Sequence, residues 1–328
     1  AEDSVYLSFF YQSQGNGDIP EIHDSLVLQF QPLAYKGDTG AWVSVWRAKG
    51  GSKTDFQLVT IPFDYPDTSL IYHDGFRFRF MAYGNVSGAL DHWHVDYVYM
   101  EENRSKDDIY FQDITMLQPV TTILQNYRSM PFSQFRRRPQ QELRANLSLG
   151  ARNLFQTVQQ ISNFGYRIID KSNGRDVGND FFAVNIDGSY GTRFTDVNNL
   201  TDVPNIQPGK RVELEIQTSV FLAPDQFKQN DTFFATQVFH NYLAYDDGSA
   251  EAGYGIIDGT GCVAVEFEVN EDDTLRGVML MFNRSKQDVS DERFDLVIWN
   301  NITPPGEPAN QDDELARIEG LSPSYGTF

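Results

Sequence analysis

Two histidines and an aspartate alternate along one short stretch of the sequence. Within Asp91-His-Trp-His-Val-Asp-Tyr97, residues His92, His94 and Asp96 occupy every second position. Side chains two residues apart point to the same face of a β-strand, so a strand here would present two imidazoles and one carboxylate together. That donor set can bind Zn²⁺ and would suit a metal-dependent hydrolase. Because no fourth ligand is identified, we favour a structural strand whose polar side chains face solvent and whose Trp93 faces a core.

Acidic residues occur in pairs and runs, and we take the pair Asp246 and Asp247 as the calcium candidate. Ca²⁺ binds about six to eight oxygen ligands, which loops between strands often provide. None of the acidic groups has the spacing of an EF-hand loop, and the alternative for each is a solvated turn or tail. The other groups are Asp107-Asp108, Glu271–Asp273 and Asp312–Glu314.

Motifs that mark common enzyme classes are missing from the sequence. It contains no Gly-x-Ser-x-Gly elbow, no P-loop, no His-Glu-x-x-His and no dinucleotide-binding glycine fingerprint. We therefore predict a protein that is not an enzyme and has no catalytic residues. The metal-dependent hydrolase built on His92, His94 and Asp96 stays open as an alternative.

The chain is strongly acidic. Its 328 residues include 26 basic and 46 acidic side chains, which gives a formal net charge of −20. Such a surface repels a polyphosphate backbone, so we expect no nucleic-acid partner. No run of about eighteen apolar residues occurs, so we expect no transmembrane segment. Cys262 is the only cysteine, and its apolar neighbours predict a buried thiol.

The first part of the chain, residues 1–118, is predicted to form a jelly-roll-like β-sandwich. Aromatic residues make up 14% of the whole chain and favour strands over helices. The clearest strand signal is Phe76-Arg-Phe-Arg-Phe80, where alternation puts the rings toward a core and the guanidinium groups toward solvent. The predicted strands are Val5–Tyr11, Ser25–Phe30, Trp42–Arg47, Phe56–Ile61, Phe76–Tyr83 and His92–Met100.

The middle part, residues 119–239, is predicted to form a linker followed by an immunoglobulin- or fibronectin-like sandwich. The linker covers 119–141 and contains Arg136-Arg-Arg138, which we interpret as solvated. In Arg211-Val-Glu-Leu-Glu-Ile-Gln217 apolar and polar side chains alternate strictly, which is typical of a half-exposed antiparallel strand. The predicted strands are Leu143–Leu149, Val158–Asp170, Phe181–Ile186 and Arg211–Phe221.

The last part, residues 240–328, is predicted to form a partial third β-sandwich with a polar tail. Its predicted strands are Val263–Val269, Arg276–Asn283 and Phe294–Asn300. Three strands do not close a sandwich, so we expect this chain to be a piece of a longer protein. The predicted fold class is all-β, with tandem antiparallel β-sandwiches that are jelly-roll-like, then immunoglobulin-like, then partial.

Two stretches of the sequence resemble a known group of proteins. Tyr242-Leu-Ala-Tyr-Asp-Asp-Gly-Ser-Ala-Glu-Ala-Gly-Tyr-Gly255, with Asp273-Thr-Leu-Arg-Gly-Val278 and Phe294-Asp-Leu-Val-Ile-Trp299, resembles a segment of surface proteins that Bacteroidota export by the type IX secretion pathway. Val5-Tyr-Leu-Ser-Phe-Phe-Tyr-Gln12 and Gly88-Ala-Leu-Asp-His-Trp-His-Val-Asp-Tyr-Val98 resemble jelly-roll modules of the same proteins. The resemblance implies an extracytoplasmic location, at the cell surface or in the periplasm at the outer membrane. It implies no catalytic residues.

These observations lead to three hypotheses about function. The first is a non-catalytic envelope or surface protein whose sandwiches bind glycan or another envelope protein, with loop aromatics such as Trp42 or Tyr72 stacking on sugar rings. The second is an accessory subunit of the type IX secretion or outer-membrane machinery. The third is the metal-dependent hydrolase. Apart from the Zn²⁺ of the third hypothesis, the residues suggest calcium, at Asp246 and Asp247, as a cofactor.

Overall fold

The protein is an all-β protein, as predicted. A computed structural model describes residues 4–15, 17–32, 41–64, 72–85, 90–117, 120–197, 211–249, 255, 261–282, 288–303 and 312–325. Parts of the two stretches that carry the resemblance, 88–89 and 250–254, lie outside these residues. The strands are β1 (Tyr6–Gln12), β2 (Ser25–Gln31), β3 (Val43–Lys49), β4 (Gln57–Pro62), β5 (Arg77–Tyr83), β6 (His94–Glu101), β7 (Ile114–Met116), β8 (Ser129–Met130), β9 (Leu147–Asn153), β10 (Gln159–Asp170), β11 (Arg175–Ile186), β12 (Thr192–Val197), β13 (Val212–Phe221), β14 (Thr232–Phe239), β15 (Phe294–Asn301) and β16 (Asp313–Leu321).

Two three-stranded antiparallel sheets form the first sandwich. Their strand orders are β4-β1-β6 and β3-β2-β5. The core between them contains Leu7 and Phe9 from β1 together with Leu28 and Phe30 from β2, all at most 1% exposed. The prediction for Phe76-Arg-Phe-Arg-Phe80 is confirmed, because its three phenylalanines pack against this core while both arginines are exposed.

The second sandwich joins a five-stranded sheet to a three-stranded one. The strand orders are β11-β10-β13-β14-β8 and β12-β9-β7, and only the short β14–β8 pair among these is parallel. Strand β13 alternates as predicted, with Leu214 and Ile216 fully buried between its polar neighbours. The larger core also contains Phe164, Tyr166 and Phe239. Apolar side chains on both sheets thus bury one another, which is the main stabilising term for such a layer.

The predicted linker contributes to the second core. Two short helices, α1 (Phe132–Arg137) and α2 (Pro139–Glu142), lie within it. Phe132 and Phe135 of α1 are buried and pack against Phe239 of β14, with ring centroids 5.2 and 4.8 Å apart. Among the described residues, neither helix nor any other has the length and apolar content to cross a membrane.

The third region departs from the prediction. Strand β15 forms as expected and pairs with β16, which lies in the predicted polar tail. The strands predicted at Val263–Val269 and Arg276–Asn283 are wrong for the described residues 261–282, which join no sheet ladder there. Cys262 is exposed rather than buried, since the stretch that contains it is not covered. Alternation identifies a face suited to burial, but a strand also needs a neighbouring backbone.

Aromatic rings join the first two sandwiches. Phe10 of β1 and Tyr97 of β6 lie 6.2 and 5.6 Å from Phe111, which precedes β7, and Tyr97 also lies 5.9 Å from Phe227. Tyr97 has a φ of 51° where the register between β1 and β6 shifts. Such a bulge redirects a side chain, and here the ring of a first-sandwich residue meets the second sandwich. Arg104, 7% exposed, donates to the backbone oxygens of neighbouring segments at this junction.

Candidate functional site

The structure separates the predicted zinc ligands. His94 and Asp96 lie on β6 and are exposed, whereas His92 precedes the strand. His92 Nδ1 accepts a hydrogen bond from the backbone of Gly17 at 3.0 Å, and His94 Nδ1 lies 3.1 Å from Gln12 Oε1. Asp96 Oδ1 accepts a hydrogen bond from the Tyr97 backbone N–H at 2.7 Å. Each side chain therefore has its own local partner.

The predicted calcium pair lies in a tight turn. Asp246 Oδ1 accepts a hydrogen bond from the Gly248 N–H at 3.1 Å, and Asp247 Oδ1 accepts from the Ser249 N–H and hydroxyl. Hydrogen bonds from Ser249 lower the pKa of Asp247. Both aspartates are exposed and stabilise the turn through their side chains, which is a common role for this residue type. Calcium binding by this pair stays a prediction.

Within the described residues, two groups of three potential metal ligands lie within 4.8 Å of one another, and neither contains the predicted residues. Glu21, Asp24 and Asp91 form the first group, in which Glu21 is exposed. Asp113, Asp225 and Asp231 form the second, and all three are buried. Sequence reasoning missed the second group because Asp113 lies far along the chain from the other two. The lone, widely separated aspartates give no pattern that a single sequence could reveal.

A shallow depression on the first sandwich includes one half-exposed aromatic ring, that of Tyr83, in its lining. Its volume is about 320 Å³. The Arg47 guanidinium lies 6.0 Å from the centroid of the half-exposed Tyr83 ring. The predicted sugar-stacking residue Trp42 lies elsewhere, with the Arg79 guanidinium 4.2 Å above its ring. The lining residues of the depression are Val27, Ser44, Val45, Trp46, Arg47 and Tyr83.

Among the described residues, a stretch with several exposed apolar side chains covers 263–269, which we call the 263–269 segment. Val263, Val265, Phe267 and Val269 are 58%, 61%, 46% and 51% exposed. Their alternate positions put these four side chains on one face of an extended chain. A contiguous exposed apolar surface of this kind is characteristic of a binding site for another macromolecule.

Side chains of the second sandwich hold the backbone of this segment. The Tyr127 hydroxyl donates to the Glu268 carbonyl oxygen at 2.9 Å and accepts from the Glu268 N–H at 2.7 Å. The Tyr245 hydroxyl donates to the Glu266 carbonyl oxygen at 2.6 Å. Gln134, only 1% exposed, accepts from the Asn270 N–H at 2.6 Å. These contacts replace a strand ladder along one edge, at residues 266, 268 and 270.

Stacked rings stabilise the same attachment. Phe267 lies 5.1 Å from Tyr245 with the ring planes 27° apart, and Tyr245 lies 4.9 Å from Tyr127 at 29°. Burial, more than the hydrogen bond with Tyr245, raises the pKa of the Tyr127 hydroxyl, so that group stays protonated and able to donate at physiological pH. One side of the segment is therefore fixed in place while the apolar side chains stay exposed.

A second apolar stretch follows after the five polar residues 270–274. Leu275, Val278, Met279, Leu280 and Met281 are all exposed, and Met279 is exposed to 97%. Unbranched Met side chains adapt to irregular apolar surfaces, which is why they are frequent where proteins bind partners. Together the two stretches make residues 263–281 the most extensive run of exposed apolar side chains among the described residues.

Comparison with known proteins adds no assignment. No protein-family model matches the chain, and no curated protein matches it either.

Proposed function

We propose that this chain is a non-catalytic protein of the cell envelope or cell surface that binds another protein through residues 263–281. The observation that carries the proposal is the exposed apolar face of the 263–269 segment, on which Val263, Val265, Phe267 and Val269 are each about half exposed. Burying such side chains contributes about 25 cal/mol per Å² of apolar area removed from water. A partner that covers this face gains the free energy of burying these side chains, and the segment does not first have to be ordered.

The free backbone edge of the segment gives the partner a second means of binding. In an extended chain, the N–H and C=O groups of successive residues point in opposite directions. The Glu266 carbonyl, both backbone groups of Glu268 and the Asn270 N–H point toward the second sandwich. By alternation, the backbone groups of residues 265, 267 and 269 then point away from it. Within the described residues, these outward groups have no backbone partner. An added strand would pair with them while its side chains meet the apolar face.

The proposed location rests on the resemblance to exported Bacteroidota surface proteins. Under it, the partner is another envelope protein, and an accessory subunit of the type IX secretion or outer-membrane machinery is one form that this function could take. The formal charge of −20 favours solubility despite the exposed apolar face.

Cys262 makes the proposal testable. It is the only cysteine in the chain, it is exposed, and it precedes Val263 directly. A thiol-reactive photo-crosslinker on Cys262 should give a discrete covalent adduct when the protein is mixed with envelope extract and irradiated. The double variant Val265→Ser/Phe267→Ser should lower the adduct yield about tenfold, because a well-buried anchor contributes at least about 1.4 kcal/mol.

The matched control moves the thiol to the first sandwich. The variant Cys262→Ser/Lys53→Cys places a single cysteine at another exposed position, on the loop that precedes β4. The adduct should disappear in this control. The same species from both positions, or an unchanged yield in the Val265→Ser/Phe267→Ser variant, would show that the segment is not the binding surface.

A glycan ligand is a second candidate, and the depression beside Tyr83 favours it. Trp46, Arg47 and Tyr83 line about 320 Å³ there, and aromatic rings with a nearby cation suit the stacking of a sugar ring. Tyr83→Ala should then abolish retention on a glycan array, while Val265→Ser/Phe267→Ser should leave it unchanged. Absence of retention for the unmodified protein would exclude this candidate.

A further inference from the structure

Three buried aspartates meet where the first two sandwiches join. Asp113 immediately precedes β7, and Asp225 and Asp231 lie within the connection from β13 to β14. One carboxylate oxygen from each lies within 4.8 Å of the others. Asp113 is 0%, Asp225 7% and Asp231 6% exposed. Burying one unpaired carboxylate is costly, and burying three together adds mutual repulsion.

No ion pair compensates this charge among the described residues. None of the salt bridges there includes Asp113, Asp225 or Asp231. The charge of Lys228 lowers the pKa of Asp231, but Lys228 is exposed and its effect on that pKa is the smallest of those that act on Asp231. The cluster therefore holds more negative charge than its neighbours balance.

Two of these carboxylates also keep an oxygen with no hydrogen-bond donor. Asp113 Oδ1 and Asp231 Oδ1 are buried without a partner in the part of the chain that the structure describes, and the same is true of Asn230 Oδ1. Buried polar atoms in native proteins are satisfied in the great majority of cases. Two unsatisfied carboxylate oxygens in one buried acidic cluster therefore favour a cation as the ligand that balances them.

The remaining oxygens are already oriented. Asp225 Oδ2 accepts the Ile114 N–H at 3.0 Å, and its Oδ1 accepts the Phe227 N–H at 2.8 Å. Asp113 Oδ2 accepts from Asn230 Nδ2 at 3.1 Å. The backbone thus holds the central carboxylate in one position, and that preorganisation reduces the entropy that a bound ion would have to remove.

We propose that Asp113, Asp225 and Asp231 together bind one Ca²⁺ ion at the junction of the first two sandwiches. All three ligands are hard oxygen donors, and the cluster contains neither the imidazole nor the thiolate that Zn²⁺ prefers. Backbone-held carboxylates from separate segments give an irregular oxygen shell, which Ca²⁺ accepts and the strictly octahedral Mg²⁺ does not.

The ion would link three segments of the fold. Asp113 precedes β7, whereas Asp225 and Asp231 belong to the β13–β14 connection. Asn230 extends the link to the first sandwich, because its Nδ2 also donates to the Tyr97 hydroxyl at 2.6 Å. Calcium would therefore stabilise the orientation of the two sandwiches as well as the second sandwich itself.

The competing explanation is that protons balance the cluster. Burial is the larger cause and the neighbouring Asp225 the next one in raising the pKa of Asp113 to about 8 and that of Asp231 to about 7. Carboxyls with such values would be largely protonated at neutral pH when no cation is bound. The two explanations differ in what added calcium does, so they can be separated by experiment.

The test uses the full chain after removal of divalent ions with a chelator. About 10 mM Ca²⁺ should raise the Tm by about 3–8 °C, given millimolar or tighter binding as in extracellular calcium modules. Calcium should also slow amide hydrogen exchange of Ile114 and Phe227, whose N–H groups bond to Asp225. Exchange at residues 246–249 should not change, and this measurement locates the ion without any substitution.

Variants separate this site from the predicted pair. Asp113→Asn and Asp231→Asn should each abolish the calcium-dependent rise in Tm, while Asp246→Asn/Asp247→Asn should keep it. The proposal is overturned if calcium leaves both Tm and the exchange of Ile114 and Phe227 unchanged. It is equally overturned if Mg²⁺ acts as strongly as Ca²⁺, or if only the Asp246→Asn/Asp247→Asn variant loses the effect.

Discussion

Strand β13 and the 263–269 segment have the same alternation of apolar and polar side chains, but the apolar face is buried only in β13. Both place an apolar side chain at every second position. In β13, Leu214 and Ile216 are fully buried, with β10 on one side and β14 on the other. In the segment, Val265 and Phe267 are 61% and 46% exposed, and side chains of the second sandwich hold one backbone edge. Alternation therefore specifies which face is apolar, and the neighbouring backbones determine whether that face is buried.

The largest expected difference comes from one substitution made in both regions. Val220→Ala on β13 removes methyl groups from a side chain that is 1% exposed, and it should lower the free energy of unfolding by roughly 2–3 kcal/mol through lost burial and a cavity. Val265→Ala at 61% exposure should change it by about 0.5 kcal/mol or less. Urea unfolding of both variants measures this. Equal losses would mean that the segment is covered in solution.

The same contrast explains which parts of the fold could be predicted from the sequence. Strands whose polar and apolar faces differ, such as β5 and β13, were predicted correctly from alternation. Strand β16 was missed because all but one of its residues are exposed, so no apolar face marks it. The second sandwich's β14 was missed as well, since its burial pattern is irregular. Pairing partners, and with them the unpaired state of the 263–269 segment, depend on long-range contacts that local pattern does not contain.

The same limit applied to the candidate sites. His94 and Asp96 do share a face of β6, as alternation predicts, but the opposing strand supplies Gln12 as the partner of His94. The aspartates of the buried cluster come from two separate connections, and only the packing of β7 beside the β13–β14 connection brings them together. Spacing along the chain can identify residues on the same face of one strand, but it cannot identify residues from distant segments that are close together in the folded protein.

The second prediction concerns pH, and it contrasts the buried cluster with the β15–β16 hairpin. Burial raises the pKa of Asp113 to about 8 in the folded protein, whereas its pKa in the unfolded chain is near 4. The contribution of this carboxyl to the free energy of unfolding is therefore fully present below about pH 4 and is lost as the pH rises toward 8. In chelator, the free energy of unfolding should therefore fall by of order 1–3 kcal/mol between about pH 5 and pH 8. In the hairpin, Arg317 lowers the pKa of Glu314, so any contribution there is lost as pH falls.

Asp113→Asn provides the control for this measurement. The amide cannot ionise, so the part of the pH dependence that comes from Asp113 should vanish while the fold is kept. Chemical unfolding at several pH values checks both chains. A dependence of the same size in Asp113→Asn would assign it to other groups.

A smaller effect is expected from the contact that holds the segment. Tyr127→Phe removes the hydroxyl that pairs with both backbone groups of Glu268. A net hydrogen bond contributes about 1 kcal/mol, so the Glu268 amide should exchange about fivefold faster while global stability changes little. Tyr242→Phe, at a ring that is 46% exposed, should not alter that exchange. Unchanged protection in Tyr127→Phe would show that something other than Tyr127 holds the segment.

The smallest effect is expected at the ion pair between Arg137 of α1 and Glu271. The Arg137 side chain is 66% exposed, and an exposed pair of this kind contributes about 0.5 kcal/mol or less. Arg137→Ala should therefore leave the urea midpoint nearly unchanged at any salt concentration. A clear loss that disappears at high salt would mean that charge, more than the Tyr127 and Gln134 hydrogen bonds, attaches this segment.

The attachment of the 263–269 segment through only one edge limits how assemblies can grow. A strand with two free edges can be extended from both sides, and identical chains can then add without end. Here the hydroxyl of Tyr127 and the amide of Gln134 terminate one edge, and a side chain cannot pass the ladder on to another strand. A partner strand could therefore pair with the segment only along its open edge. The second sandwich would thus act as a cap that blocks growth from the other edge.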